Sequence, residues 1–243
     1  LNPETFNVSV DGATPETYHM IRGVNGFHTC MRLLKDAVAD GFQEVHAITT
    51  FNAKNLKDFD RFVELFIDPP IVWQVQMAHR GGERFPEDLL MTREDYRWLM
   101  AKLAAASELR HRLRLLMMDD VGYHAMTKQF AGICRAWNGC QAGRQVIGIR
   151  ANGDVLPCLS LGSRFICDNL FNRPLEEIWR DPTSFPGFRE DPKSLTGKCK
   201  ICPHAVTCRA GCHAMGYSLT QTLTENHFCV RQLEVEHFIS EFT

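Results

Sequence analysis

Cysteine is nearly missing from the first 133 residues of this 243-residue chain, where Cys30 stands alone. A disulfide framework is therefore not what holds that half together. Charge imbalance is also missing. The formal net charge is −2, with 23% charged residues, so nothing calls for nucleic acid or an anionic membrane as a partner. Long apolar runs are absent, which leaves no membrane span, and no signal peptide is visible, so a cytoplasmic setting is expected. There is no internal repeat and no low-complexity stretch. The chain opens on Leu1 instead of Met and runs almost at once into a strand pattern. A missing N-terminal part is the expectation.

What is present is an ordinary apolar fraction of 44%, enough at this length for one large or two small cores. Nine of the ten cysteines fall between Cys134 and Cys229. The first half alternates strand and helix patterns. Residues 6–10 alternate apolar and polar, and Thr14 with Pro15 predicts a capped helix start. A helix is predicted over 28–40, ending at Gly41. A strand follows over 44–51. Phe59, Phe62, Val63 and Phe66 form a helical stripe, 71–78 reads as a strand, Thr92 with Asp95 predicts a capping box opening a helix over 93–111, and 113–118 is a short strand. This order means a parallel α/β layout, in which ligands bind at the C-terminal ends of strands. Ser9, Asn52, the turn His79 to Gly82 and Asp119–Asp120 lie at such ends. For Asp119–Asp120 a solvated or capping role is the favoured reading, and for Asp11 a turn with Gly12.

The pattern changes near residue 130. Residues 145–158 predict a hairpin turning at Asn152–Gly153. A short helix is expected at Leu175–Trp179 and a closing helix over 230–241, with irregular chain between. The domains expected are 1–128 and 129–243.

Eight of the cysteines form one ordered pattern. Cys134 and Cys140 have five residues between them, then come C-x12-G-x4-C to Cys158, C-x2-C-x5-C-x3-C over Cys199, Cys202, Cys208 and Cys212, and Cys229 after sixteen more. Eight thiolates suffice for two four-iron clusters, and a C-x2-C pair sets two donors on one loop. Four-cysteine zinc remains open on spacing alone. Cys30 and Cys167 read as buried thiols outside the pattern.

The pattern resembles the SPASM domain of radical S-adenosylmethionine (radical SAM) enzymes. Cys140–Gly143, Asn152–Val155, Asp168–Leu170 and Leu175–Trp179 resemble it too. Residues 8–12 with 14–23, and 49–56, resemble later strands of the radical SAM partial TIM barrel. The resemblance implies an α/β partial barrel followed by a small irregular α+β iron–sulfur domain with a β-hairpin. By similarity to anaerobic sulfatase-maturating enzymes, one auxiliary [4Fe-4S] cluster would use Cys134, Cys140, Cys158 and Cys212. The other would use Cys199, Cys202, Cys208 and Cys229. Ser9, Arg22 and Asn52 would stand near S-adenosylmethionine. A third cluster on a C-x3-C-x2-C motif would generate the 5′-deoxyadenosyl radical that abstracts substrate hydrogen, and this sequence contains no such motif. The activity implied is an oxidoreductase acting on a peptide or protein side chain, fed by a donor such as flavodoxin or ferredoxin. Cofactor biosynthesis is the alternative, and a non-catalytic zinc or iron–sulfur module is the rival of another class. Sulfatase maturases carry an acidic general base after the third cysteine, where this chain has Leu159.

Overall fold

The computed structural model describes residues 3–81, 85–118, 123–131, 137–189 and 195–240. Four strands, β1 (Thr5–Ser9), β2 (Glu44–Phe51), β3 (Val72–Met77) and β4 (Arg114–Met117), lie side by side in chain order. Every neighbouring pair is parallel. Parallel neighbours need long crossovers, and helices supply them. These are α1 (Pro15–Arg22) and α2 (Phe27–Ala39), then α3 (Phe59–Phe66) behind a 3-10 turn at Leu56–Asp58, then α4 (Arg93–Ser107). Thr14 caps α1 by accepting from the Thr17 amide, and Thr92 with Asp95 closes the expected capping box on α4. Helix α4 stops four residues short of the predicted end. The chain leaves it through tight turns that set Leu113 in the core.

The aromatic stripe of α3 explains the packing. Phe59, Phe62 and Phe66 are spaced to share one helix face, and all three are buried. They surround Trp73 of β3, with ring centroids 5.5–5.9 Å away, and Phe51 joins them at 6.0 Å. The indole N–H is satisfied by Thr49 Oγ1 at 2.9 Å, and that hydroxyl donates to the Val10 carbonyl at 2.9 Å. A buried Trp needs such an outlet for its one polar atom.

The second half opens with α5 (Lys128–Ala131), so the boundary expected at 128/129 falls within this helix. A small antiparallel sheet follows, of β5 (Gly148–Ile149), β6 (Asp154–Leu156) and β7 (Asp168–Asn169). The hairpin turn takes four residues, 150–153, closed by Gly153 N–H to the Arg150 carbonyl at 2.9 Å. Its central pair is therefore Ala151–Asn152, and Gly153 follows in the left-handed region at φ 84°. The helices α6 (Leu175–Arg180), α7 (Gly197–Lys200), α8 (Ala205–Cys208), α9 (His213–Thr220) and α10 (Val230–Ser240) complete the chain. Helix α10 returns to the first half. Val230 and Leu233 join the barrel core, and Arg93 grips both carboxylate oxygens of Glu236 at 2.9 and 2.8 Å. Among the described residues no helix is long and apolar enough to cross a membrane.

Candidate metal centre

Cys199, Cys202, Cys208 and Cys229 line one small pocket. They come from α7 and its following turn, the end of α8, and the residue before α10. A left-handed run follows Cys208, with Arg209, Ala210 and Gly211 at φ 51°, 64° and 69°. It turns the chain so sharply that Cys212 lines a different cavity. That second cavity, of about 450 Å³, also takes Cys140 and Cys158. Its opposite wall comes from the ends of the barrel strands, with Thr50 of β2, Gln76 of β3 and Met118 after β4. Four of the described thiols thus line one cavity and three the other, with Cys134 outside the described residues. Asp119 and Asp120 lie outside them as well.

The thiols ring their pockets. Among the described residues no three His, Cys, Asp or Glu side chains are near enough to hold a single ion. A four-iron cluster takes one thiolate on each of four separate irons, which suits donors arranged around a space. Backbone N–H groups are aimed at the sulfurs. Cys140 receives those of His213 and Ala142, Cys199 that of Asn226, Cys208 that of Gly211, and Cys229 those of Gln232 and Arg231. Such bonds favour the thiolate and tune a cluster. Burial works against them. It pushes the Cys208 thiol up to about 12 and the Cys229 thiol to about 11, with neighbouring cysteines adding to both. Metal binding at these thiols therefore releases protons. Cys167 differs in kind. Its thiol is raised to about 11 by burial and then by Asp168, and it donates to the Phe165 carbonyl at 3.3 Å. Cys30 contacts the Tyr18 hydroxyl at 3.2 Å, far from both pockets in the chain's first crossover.

The two pockets are tied together. Tyr123, at φ 89°, accepts at its hydroxyl from the Cys212 amide and from Asn226 Nδ2, both at 3.0 Å. Neither this tyrosine nor the left-handed run carried a sequence signal.

At the strand ends, Arg22 Nε is 2.7 Å from Asp11 Oδ2. The Asp11 carboxylate is buried, and its other oxygen accepts from the Thr50 amide at 2.7 Å. Burial raises this carboxyl above its ordinary value, while the Thr50 amide and Arg22 pull the other way. Asn52 is buried, with Nδ2 on the Thr50 carbonyl and Oδ1 taking the Lys54 amide. Asn55 completes the group by donating to the carbonyls of Asp11 and Thr50 at 2.9 and 3.0 Å. Arg22 and Asn52 are thus joined through Asp11, Thr50 and Asn55. Ser9 ends β1, in register with Ile48 of β2. Sequence reasoning read Asp11 as a turn residue and missed Asn55. An acidic residue directly after a strand was the available signal. His79 lines the larger cavity, its Nδ1 is enclosed with no partner among the described residues, and burial pulls the ring down to about 4, so it is neutral near pH 7.

Residues 140–203 match the SPASM family, an iron–sulfur cluster-binding domain. The structure superposes on native anSMEcpe with bound AdoMet at a TM-score of 0.66, with 13% identity, covering 98% of this chain and 66% of that one. Residues 140–203 thus resemble a SPASM domain, in a chain that shares the fold of anSMEcpe. The chain is 29% identical to the mycofactocin maturase MftC of Mycobacterium ulcerans (strain Agy99), over 85% of this chain and 55% of MftC. It is 26% identical to the AdoMet-dependent heme synthase of Methanosarcina barkeri (strain Fusaro / DSM 804), over 93% of this chain and 67% of that protein. The chain spans about half the length of the MftC proteins it matches.

Proposed function

We propose that this SPASM chain serves a radical SAM oxidoreductase that modifies a peptide or protein side chain. The observation that carries the reading is the shared cavity: Cys140, Cys158 and Cys212 line the same space as the strand ends Thr50, Gln76 and Met118. A substrate held at the mouth of the sheet would lie against the first cysteine set. Similarity to MftC, and the fold shared with anSMEcpe, which has been solved with AdoMet and the Kp18Cys peptide, support a peptide substrate.

Two quartets would hold two auxiliary [4Fe-4S] clusters, Cys134, Cys140, Cys158 and Cys212 for one and Cys199, Cys202, Cys208 and Cys229 for the other. Bound there, the clusters would supply a route for electrons, while reductive cleavage of S-adenosylmethionine would supply hydrogen abstraction. The chain's own residues position and protect. Met77, Met118 and Trp137 give the cavity apolar walls that keep water out, and Gln76 Nε2 bonds Thr50 Oγ1 at 2.8 Å, fixing a polar edge. Leu159 is exposed and offers no base. His79 lines the same cavity with a ring that burial holds neutral near pH 7, so it would meet the substrate as a hydrogen-bond partner. Arg22, Asp11 and Asn52 would hold S-adenosylmethionine at the ends of β1 and β2, with Ser9 beside them. An electron donor such as flavodoxin or ferredoxin would feed the centre.

A second reading, cofactor biosynthesis on a small precursor, is favoured by the similarity to the heme synthase, which covers 93% of this chain. The deciding experiment is anaerobic reconstitution of the full-length gene product with iron and sulfide. The maturase reading expects a brown protein with about four irons in each cysteine set, AdoMet cleavage, and a mass change in a short peptide encoded beside the gene. A colourless, zinc-loaded protein, or a reading frame without a C-x3-C-x2-C motif, would overturn it. Turnover of a tetrapyrrole precursor with inert peptides would select the second reading.

A further inference from the structure

Beside the cysteine-lined cavity lies a second of about 290 Å³, with Arg80, Arg164, Ser163, Tyr217 and Ser218 among its walls. The two cavities share three chain segments. His79 lines the first and Arg80 the second, Ser160 the first and Leu161 the second, Cys212 the first and Ala214 the second. His79–Arg80 and Ser160–Leu161 are successive residues, about 3.8 Å apart, so the two spaces lie side by side, within the length of one extended peptide.

Among the described residues lining the smaller cavity are two guanidinium groups, Arg80 and Arg164, and no carboxylate. Arg164 forms no ion pair with a carboxylate among the described residues. Its guanidinium carbon lies 5.0 Å from the Tyr217 ring centre and 5.5 Å from that of Phe165, and Nη1 donates to the Tyr217 hydroxyl. Arg150 backs the same segment, donating to Ser163 Oγ at 2.9 Å and to the Leu161 carbonyl at 3.4 Å. Arg80 is fixed from behind, its amide donating to Ser218 Oγ at 2.7 Å. One Arg80 nitrogen meets Glu87, whose side chain is 67% exposed, while its Nε is enclosed with no partner among the described residues. Asp154, the other carboxylate acting on Arg150, is already held by Asn152 and Asn169.

We infer that this arginine pocket binds a carboxylate of the substrate, from an acidic side chain or a free C terminus, while the residue to be modified occupies the cysteine-lined cavity. The inference rests on the peptide reading above. Planar guanidinium recognises carboxylate through paired N–H donors, and stacking on aromatic rings holds its plane in place. The pocket would set which residue of the peptide reaches the reaction cavity.

The test measures binding, separately from turnover, in the full-length cluster-loaded protein. Three probes are used: acetyl-Ala-Glu-Ala-amide, acetyl-Ala-Gln-Ala-amide and acetyl-Ala-Ala-Ala with a free C terminus. A carboxylate probe is expected to bind about tenfold tighter than the glutamine probe, a step of about 1.4 kcal/mol. Preference for the first or third probe tells side chain from C terminus. Arg164→Gln, at an exposed position, and Arg80→Gln should each remove the preference at unchanged iron content, and added salt should weaken it. Equal binding of all three probes, no binding of any, or a preference that survives both substitutions would overturn the inference. Peptide modification that continues in that case would leave the maturase reading standing.

Discussion

The indole N–H of Trp137 donates to the carbonyl oxygen of Cys208 at 3.1 Å. Trp137 is a wall of the cavity lined by Cys140, Cys158 and Cys212, while Cys208 belongs to the other cysteine set. One hydrogen bond therefore spans the two sets, and Tyr123, whose ring centre is 5.1 Å from that of Trp137, makes a second link through the Cys212 amide. Trp137→Phe keeps a ring in place and removes the N–H. It is expected to cost about 1 kcal/mol, a fall of about 2–4 °C in Tm for a chain of this size. Anaerobic thermal unfolding checks this, and an unchanged Tm would show that the bond is not what joins the two sets.

Gly139 tests the same junction from the backbone side. Its φ is 82°, and a Cβ there would stand 2.4 Å from Arg209 Nε and 2.7 Å from the Thr207 carbonyl. Arg209 donates from Nη2 to the Cys140 carbonyl at 3.0 Å, so any displacement loosens the loop that carries Cys140. The Thr207 carbonyl is backbone and cannot swing aside. Gly139→Ala is therefore expected to cost about 2–4 kcal/mol, from the left-handed dihedral plus the collision. Gly41→Ala is the matched control. Its φ is 79° with nothing within 4 Å, so the dihedral strain alone should remain, about 1 kcal/mol. Urea unfolding of both variants separates strain from collision, and equal losses would refute the account.

The first half was legible because its signals are local. The stripe of Phe59, Phe62 and Phe66, the caps at Thr14 and Thr92 and the strand run of β2 each depend on residues a few positions apart, and each is found in the structure. That the cysteines form one ordered pattern was legible as spacing, whereas their division into two sets came only from the resemblance; in the structure Cys199, Cys202, Cys208 and Cys229 line one cavity and Cys140, Cys158 and Cys212 another. Helix α9 was not read. Gly216 interrupts it, and His213, Ala214, Met215, Gly216 and Ser218 are buried on several sides, so no stripe marks it. The left-handed Arg209 and Ala210, and Tyr123 at φ 89°, were also beyond reach, because surrounding contacts hold residues in conformations their types rarely prefer. The setting of His79 belongs to the same class, since the cavity it lines is shared with Ser160 and Cys212, far along the chain.

The iron–sulfur half also carries an ion pair with a definite pH signature. Asp181 Oδ1 accepts from the Thr183 hydroxyl at 2.6 Å and from its amide at 2.8 Å, and Oδ2 accepts from Arg173 Nη1 at 2.8 Å. The Thr183 hydroxyl and then Arg173 hold this carboxyl well below its usual value of 3.8. Arg173 also reaches Asp168 at 2.7 Å, so the pair ties the end of α6 to strand β7, next to the bystander Cys167. A carboxyl depressed in the folded state stabilises it above the unfolded value, and that contribution fades as pH falls through 3.8 toward the folded value. Asp181→Asn should therefore be less stable than the parent by a constant margin from pH 8 to about 5, with the margin closing only below that. Amide exchange at Thr183, compared between the two proteins across this range, reads the effect where it arises. A margin that closed near neutral pH instead would mean that another group controls this corner of the domain.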